Sequence, residues 1–253
     1  MNDYIYGAVS DIGVDRENQE DFIQLKELDN QNLLCIIADG TGSRENHPQP
    51  AAIVTAEIID TVTDLYLSRK ELFFEDPSFF LKLAMEHANR ILGAFKMGNE
   101  ERFFGYAASV TCYLFSEANK IYVAHSGNTR MYILRNGMLK QVTKDHTKAA
   151  TLLDEGKIDL ATYHVHPDRL KLTSGIGIVL DPEIQTFTGK MKENDIVLLS
   201  TDGVHYAIQP EAMAEIILGA ANCNDAASAL IKASKDIIKY PDNMSAIIVY
   251  KNK

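Results

Sequence analysis

The stretch ASVTCYLFSEANKIYVAHSGNTRMYILRNGMLKQV, residues 108–142, decides the fold class. It holds four β-prone runs: Ala108 to Phe115, Lys120 to His125, Arg130 to Arg135 and Met138 to Val142. The breaks between them are Glu117-Ala118-Asn119, Gly127-Asn128 and Asn136-Gly137, the last being the dipeptide that accepts two consecutive positive φ angles in a two-residue hairpin. Breaks this short join antiparallel neighbours and leave no room for the crossover helix that parallel pairing needs.

Upstream, Tyr4 to Ser10, Asp21 to Leu25 and Leu33 to Ala38 read as three more strands. The apolar period then lengthens. Ala51, Val54, Ile58, Val62 and Leu65 fall on one helical face, and Phe80, Ala84, His87, Ile91 and Phe95 repeat the pattern behind Asp76-Pro77, an N-cap followed by proline at the first helical position. Downstream of Asp145 the pattern becomes irregular, with a short helix through Leu152 and Leu153 and His-Pro and Gly-x-Gly turns up to Asp181-Pro182, an excursion from the core. Strands at Ile184 to Thr188 and Asp195 to Ser200, helices starting near Pro210 and Asp225, and a strand at Met244 to Tyr250 complete the chain. Grouped strands and grouped helices imply an α+β protein, antiparallel sheets covered by helices, in one domain over residues 1–253.

With 35 Asp and Glu against 25 Lys and Arg the formal charge is −10, which argues against a nucleic-acid partner. No apolar run approaches the ~20 residues that span a bilayer. Asp3 and Asp11 stand where a secretory signal would be basic and apolar, so a cytoplasmic protein is expected. Cys35, Cys112 and Cys223 are odd in number and far apart, which suits a reducing compartment and gives neither a disulfide framework nor a thiolate zinc site.

Four aspartates flank β-runs. Asp21 opens one strand, Asp39 ends another, Asp202 follows Val197-Leu198-Leu199-Ser200-Thr201, and Asp242 precedes the final strand. Taken singly, each is an ordinary turn or cap residue. Together they offer carboxylates from rigid supports, which is what hard dications such as Mg²⁺ and Mn²⁺ require. A pair of such ions can clamp a phosphate and activate a water. Arg16, five residues before Asp21, could add a planar fork for phosphate oxygens.

These fragments, in this order, resemble the metal-dependent Ser/Thr protein phosphatase family, PP2C or PPM, in its compact bacterial form. Ser10-Asp11-Ile12-Gly13 with Arg16 and Glu20-Asp21 is similar to the family's opening, and Ala38-Asp39-Gly40-Thr41-Gly42 to its Asp-Gly-x-Gly loop. Gly127-Asn128-Thr129-Arg130 stands at its Gly-Asp-Ser-Arg turn, Val142 to Thr147 at its Thr-x-Asp-His-Ser element, Ser200-Thr201-Asp202-Gly203 at its Ser-Asp-Gly, and Pro241-Asp242-Asn243 at its closing Asp-Asn.

The resemblance implies a sandwich of two mostly antiparallel sheets flanked by helices (α-β-β-α), two Mg²⁺ or Mn²⁺ ions at one end, and a flap subdomain at about 145–181. It implies Asp21, Asp39, Asp202 and Asp242 as carboxylate ligands, Gly40 as a carbonyl ligand, Glu20 holding a metal-bound water and Arg16 binding the substrate phosphate. Three departures stand out: Asn128 where the family has an aspartate that helps hold a third ion, so that third site is doubtful; Thr41-Gly42-Ser43 in place of a glycine pair; and Gln19 in place of asparagine.

Other signals weigh less. His164-x-His166 has no third ligand at recognisable spacing and reads as surface or capping, His146 reads as a residue that positions the flap, and Phe79, Phe80, Phe103 and Phe104 read as core. The expected function is hydrolysis of phosphoserine and phosphothreonine in proteins by a metal-activated water, in a monomer opposed by a Ser/Thr kinase. The alternative is a catalytically weak regulatory module that binds metal and a phosphoprotein partner, motivated by Asn128.

Overall fold

The structure is a computed structural model that describes residues 3–14, 16–237 and 242–251. Strands β1 (Tyr4–Asp11), β2 (Asp21–Asp29) and β3 (Asn32–Thr41) lead into helices α1 (Pro50–Ser68), α2 (Lys70–Glu75) and α3 (Pro77–Lys96). Strands β4 (Ala107–Ser116), β5 (Lys120–Ser126), β6 (Arg130–Arg135) and β7 (Met138–Gln141) follow, then α4 (Lys148–Asp154) and α5 (Leu160–Val165). The chain ends with β8 (Gln185–Lys190), β9 (Ile196–Ser200), α6 (Asp202–His205), α7 (Pro210–Gly219), α8 (Cys223–Ile237) and β10 (Met244–Lys251).

One sheet has the order β1-β10-β9-β6-β7 and the other β2-β3-β4-β5-β8, with every pairing antiparallel. The hairpin expected at Asn136-Gly137 is there, with φ of 52° and 79° and Arg135 opposite Met138.

Strand β3 explains the layering. Leu33, Cys35 and Ile37 face the other sheet and pack with Tyr113, Val123, Val197 and Ile247, while Leu34, Ile36 and Ala38 face outward onto Val54, Ile58, Leu81 and Ala84 of α1 and α3. Both faces of β3 are covered, so its apolar run is continuous instead of alternating. The far sheet does the same, with Leu198 and Ile248 meeting Met213, Ile217 and Leu230 of α7 and α8. Each such large side chain contributes roughly 1.5–3 kcal/mol on leaving water. The result is the expected α-β-β-α sandwich. Among the described residues no helix is long and apolar enough to cross a membrane, and all three cysteines are buried and unpaired.

Three sequence readings are corrected. In α3 the Asp76 cap is present, accepting from the Phe79 amide at 3.0 Å. The buried stripe, however, is Phe80, Leu81, Ala84, Met85, Ala88 and Leu92, and it turns away from His87, Ile91 and Phe95. Of the four phenylalanines read as core, Phe80 and Phe103 are buried, whereas Phe79 and Phe104 are 54% and 82% exposed, because Phe79 lies outside the buried stripe of α3 and Phe104 points away from the cluster that Phe103 joins. Helices α2, α5 and α6, of six, six and four residues, were not anticipated, being too short to establish a period. Pro241 of the closing motif lies outside the described residues, so that motif is seen only at Asp242 and Asn243.

Candidate functional site

Strand register brings the four acids to one end of the sandwich. Asp21 and Asp39 are direct partners across β2 and β3. In the other sheet Ser200 pairs with Ala246, so Asp202 sits just beyond the end of β9 and Asp242 just before the start of β10. Two hydroxyls bridge the sheets: Thr201 Oγ1 and Ser245 Oγ donate to Asp21 Oδ2 at 2.7 and 2.9 Å. Neither Thr201 nor Ser245 was singled out from the sequence; each is a small polar residue beside a candidate acid at a strand end, which is the signal that could have found them.

The loop before β2 is pinned to β10 by Asn243. Its Oδ1 accepts from the Glu20 amide at 2.7 Å and its Nδ2 donates to the carbonyls of Ile12 and Asn18 at 2.7 and 3.1 Å. This fixes Arg16 and Glu20 beside the acids. Arg16 Nη2 pairs with Asp242 Oδ1 at 2.6 Å, and the Glu20 carboxylate accepts from both the amide and the hydroxyl of Ser43. Gly40 passes so close to this loop that a Cβ would come within 2.8 Å of the Glu20 carbonyl oxygen, so glycine is required there.

Asn128 comes from the turn before β6, whose first residue, Arg130, pairs with Ser200 of β9. Ser109 Oγ accepts from the amides of Asn128 and Thr129 at 2.8 and 2.7 Å, and glycine at 127 leaves the space that Ser109 occupies. His146 clamps the same turn: its Nδ1 accepts from the Gly127 amide at 3.1 Å, its own amide donates to the Gly127 carbonyl at 2.7 Å, and its carbonyl accepts from Thr173 at 2.9 Å. His146 thus ties its own segment, through Thr173, to the turn that carries Asn128. Held in this way, Asn128 Nδ2 donates to Asp202 Oδ2 at 3.2 Å, and its buried Oδ1 has no partner.

Arg16, Glu20, Asp39, Gly40, Asn128, Asp202 and Asp242 line one cleft of 690 Å³. Asp21, 3% exposed, stands behind them, outside the cleft lining. Burial pushes the carboxyl of Asp39 well above the usual carboxylate range, and Asp202, Asp21, Asp242 and Glu20 push it further. Burial likewise raises Asp21, against the two hydroxyls, and raises Asp202 together with Asp242. Asp242 is raised by burial and restrained by Arg16.

The donor set, carboxylates and carbonyls without thiolate or imidazole, suits a hard dication, as does the orphaned amide oxygen of Asn128. Among the described residues no three His, Cys, Asp or Glu side chains already stand together as a ligand cage. Mg²⁺ and Mn²⁺ sites of this chemistry take part of their coordination from water. His164 and His166 lie away from the cleft lining; His166 Nδ1 accepts from the Asp168 amide at 3.1 Å, a local capping contact.

A family model described as protein phosphatase 2C matches residues 13–237. Serine/threonine protein phosphatase PstP of Mycobacterium tuberculosis is 28% identical over 213 residues, which are 84% of this chain and 38% of that protein, so the chain spans less than half of that relative's length. Serine/threonine phosphatase stp of Listeria innocua is 23% identical over 245 residues, 96% of this chain and 94% of that protein. Among solved structures, the M. tuberculosis serine/threonine phosphatase PstP/Ppp is similar with a TM-score of 0.83 at 25% identity, covering 99% of both chains. The catalytic domain of PstP in complex with two manganese ions is similar with a TM-score of 0.79 at 25% identity, covering 97% of both.

Proposed function

The chain belongs to the protein phosphatase 2C family, and we propose that it hydrolyses phosphoserine and phosphothreonine in proteins with the help of two Mg²⁺ or Mn²⁺ ions. The observation that carries this reading is the group of four aspartates at one sandwich end, each raised by burial and most of them by one another, with an arginine among them. Asp21, Asp39, Asp202 and Asp242 would hold the ions through carboxylates and Gly40 through its carbonyl, while Glu20 would hold a coordinated water. Bound ions supply charge neutralisation at the phosphoryl oxygens and an activated water as nucleophile. Asn128 contributes one neutral oxygen where a carboxylate would contribute charge, so a third ion would be held weakly.

The buried free cysteines and the absence, among the described residues, of a membrane-crossing helix support a cytoplasmic enzyme. We assign it the role of a monomer that reverses the action of a Ser/Thr kinase, with residues 145–181 as the flap of a single catalytic domain. Mn²⁺ is expected to switch on hydrolysis of a phosphothreonine peptide, chelation to switch it off, and millimolar metal to raise the melting temperature by mass action on the folded site. Absence of both hydrolysis and a thermal shift would overturn the reading.

Arg16 has two candidate tasks, and one variant separates them. Its ion pair with Asp242 is more than a third exposed on both sides and is worth at most about 1 kcal/mol. If Arg16 grips two oxygens of the transferring phosphoryl group, Arg16→Ala lowers kcat/KM by roughly 10²-fold, or about 2–4 kcal/mol of transition-state stabilisation, and leaves the metal-induced thermal shift in place. Lysine, a point charge without the fork, restores only part of it. If Arg16 serves only as the counter-ion of Asp242, kcat/KM at saturating metal is unchanged.

A further inference from the structure

The cleft continues past the carboxylates. Besides the acidic end it is lined by Phe104 and, from the segment between α5 and β8, by Leu170, Leu172 and Ile178. Phe104 is 82% exposed and Leu170 47%. A phosphoryl group with two ions fills only the acidic end; 690 Å³ is the size of a pocket for a much larger ligand.

Phe104 is exposed on a rigid mount. Its neighbour Phe103 turns inward onto Phe95, Tyr106 and His47. Arg44 donates to the carbonyls of Gly42 and Ser43 at 2.7 and 2.8 Å and to those of Arg102 and Phe104 at 2.7 and 2.8 Å. That guanidinium joins the loop that follows Asp39-Gly40 to the segment that presents Phe104, and Gly42 is packed so tightly against Gly105 that a Cβ there would meet its carbonyl at 2.5 Å. The backbone that presents the ring is therefore tied to the loop that follows Asp39. The leucine side is held as well: Leu172 bridges to Thr147, Ile176 bridges to Ala108, and Lys96 Nζ donates to the Gly177 carbonyl at 2.7 Å.

Given that the site is a protein phosphatase, a reading on which this inference rests, the segment flanking the phosphorylated residue must run along this cleft. Away from the carboxylates the lining of the same cleft turns apolar, with Phe104, Leu170, Leu172 and Ile178, which suits an apolar flanking side chain. An exposed aromatic on a fixed support is the feature most often found to anchor a partner's apolar side chain. We propose that Phe104, with Leu170, forms a specificity subsite for a large apolar side chain close in sequence to the phosphoserine or phosphothreonine of the substrate.

The test uses the full chain with Mn²⁺ and phosphothreonine peptides in which leucine is moved through the three positions on each side of the phosphorylated residue, against a serine-only background. At one or more positions leucine is expected to raise kcat/KM by about tenfold over serine, chiefly through KM, as burial of one leucine side chain provides. In Phe104→Ala that leucine-to-serine ratio falls towards one, and Phe104→Leu restores part of it. No leucine preference at any position, or a ratio that survives in Phe104→Ala, overturns the proposal. A purely structural effect of the substitution would slow all peptides alike and keep the ratio, which counts against it too. Capped phosphothreonine without flanking residues separates the two readings: if the wild type hydrolyses it, the phosphatase assignment stands whatever happens to the ratio, and if no substrate is hydrolysed both readings fall together.

Discussion

Asp39→Asn and Asp202→Asn are each expected to lower phosphatase kcat by at least about 10²- to 10³-fold, while raising the melting temperature of the metal-free protein. The loss follows from removing a charged ligand whose charge offsets that of the ions. The gain follows from the metal-free electrostatics, in which burial and the other three aspartates push Asp39 well up, and burial and Asp242 raise Asp202. A carboxyl with a raised folded pKa binds its proton more tightly folded than unfolded. Its stabilising effect is therefore complete below the ordinary carboxylate value and is lost as pH rises through the folded pKa. Asparagine has no such loss, so the stability gap between variant and wild type should be small near pH 4 and widen as pH rises above it. Each kcal/mol of relieved repulsion corresponds to about 2–4 °C for a chain of this size. Mn²⁺ should reverse the order, raising wild type more than either variant. Activity within a few-fold of wild type for both variants would sink the ligand assignment, and a metal-free Asp39→Asn less stable than wild type at pH 8 would sink the electrostatic one.

The acids were legible in the sequence because a strand end is a property of a local run: an apolar stretch stops and an aspartate stands where it stops, as in Ile36-Ile37-Ala38-Asp39. That Asp21 faces Asp39 depends only on the register of one hairpin. What holds the acids was not legible. Thr201 and Ser245 reach Asp21 across 180 and 224 residues of chain, and nothing local marks a hydroxyl that will bridge two sheets. The phenylalanine pairs failed for a different reason. Phe103-Phe104 has the composition of core, but only tertiary packing decides which of two adjacent rings turns inward. Helix α3 drifted because a stripe through His87, Ile91 and Phe95 scores as well by spacing as the one through Met85, Ala88 and Leu92 that actually packs on α1 and the sheet.

Asp145→Ala is expected to cost about 3–5 kcal/mol of folding stability, the larger of the two stability effects discussed, because it leaves the Arg130 guanidinium buried without its counter-charge. The two side chains are 1% and 6% exposed and meet in a bidentate pair, Nε to Oδ1 at 2.8 Å and Nη2 to Oδ2 at 2.7 Å. Gln141 Nε2 donates to Asp145 Oδ1 at 3.0 Å, and the hydroxyls of Tyr163 and Tyr206 to Oδ2 at 2.8 and 3.3 Å. Burial works to raise the Asp145 carboxyl, but Arg130 overrides it and holds the group down at about 2. With the folded pKa depressed, the stabilisation is present above the ordinary carboxylate value near 4 and is lost as pH falls towards 2, so the variant should show a flatter acid-unfolding profile than wild type across that interval. Arg130→Met with Asp145→Leu should recover much of the single-variant loss, since exchanging a buried ion pair for apolar groups costs far less than orphaning one charge. Stability and activity should part company in that double variant. Tyr163 belongs to α5, Tyr206 caps the C-terminal end of α6, the four-residue helix that begins at Asp202, and the Tyr206 hydroxyl lies 3.2 Å from the Arg169 carbonyl. The ion pair therefore holds both the end of the short α6, whose first residue is Asp202, and the segment carrying Leu170. An apolar replacement that restores the melting temperature but leaves kcat/KM depressed would show that the pair is retained for placing Asp202 and the cleft wall; full recovery of both would show that it serves the fold alone.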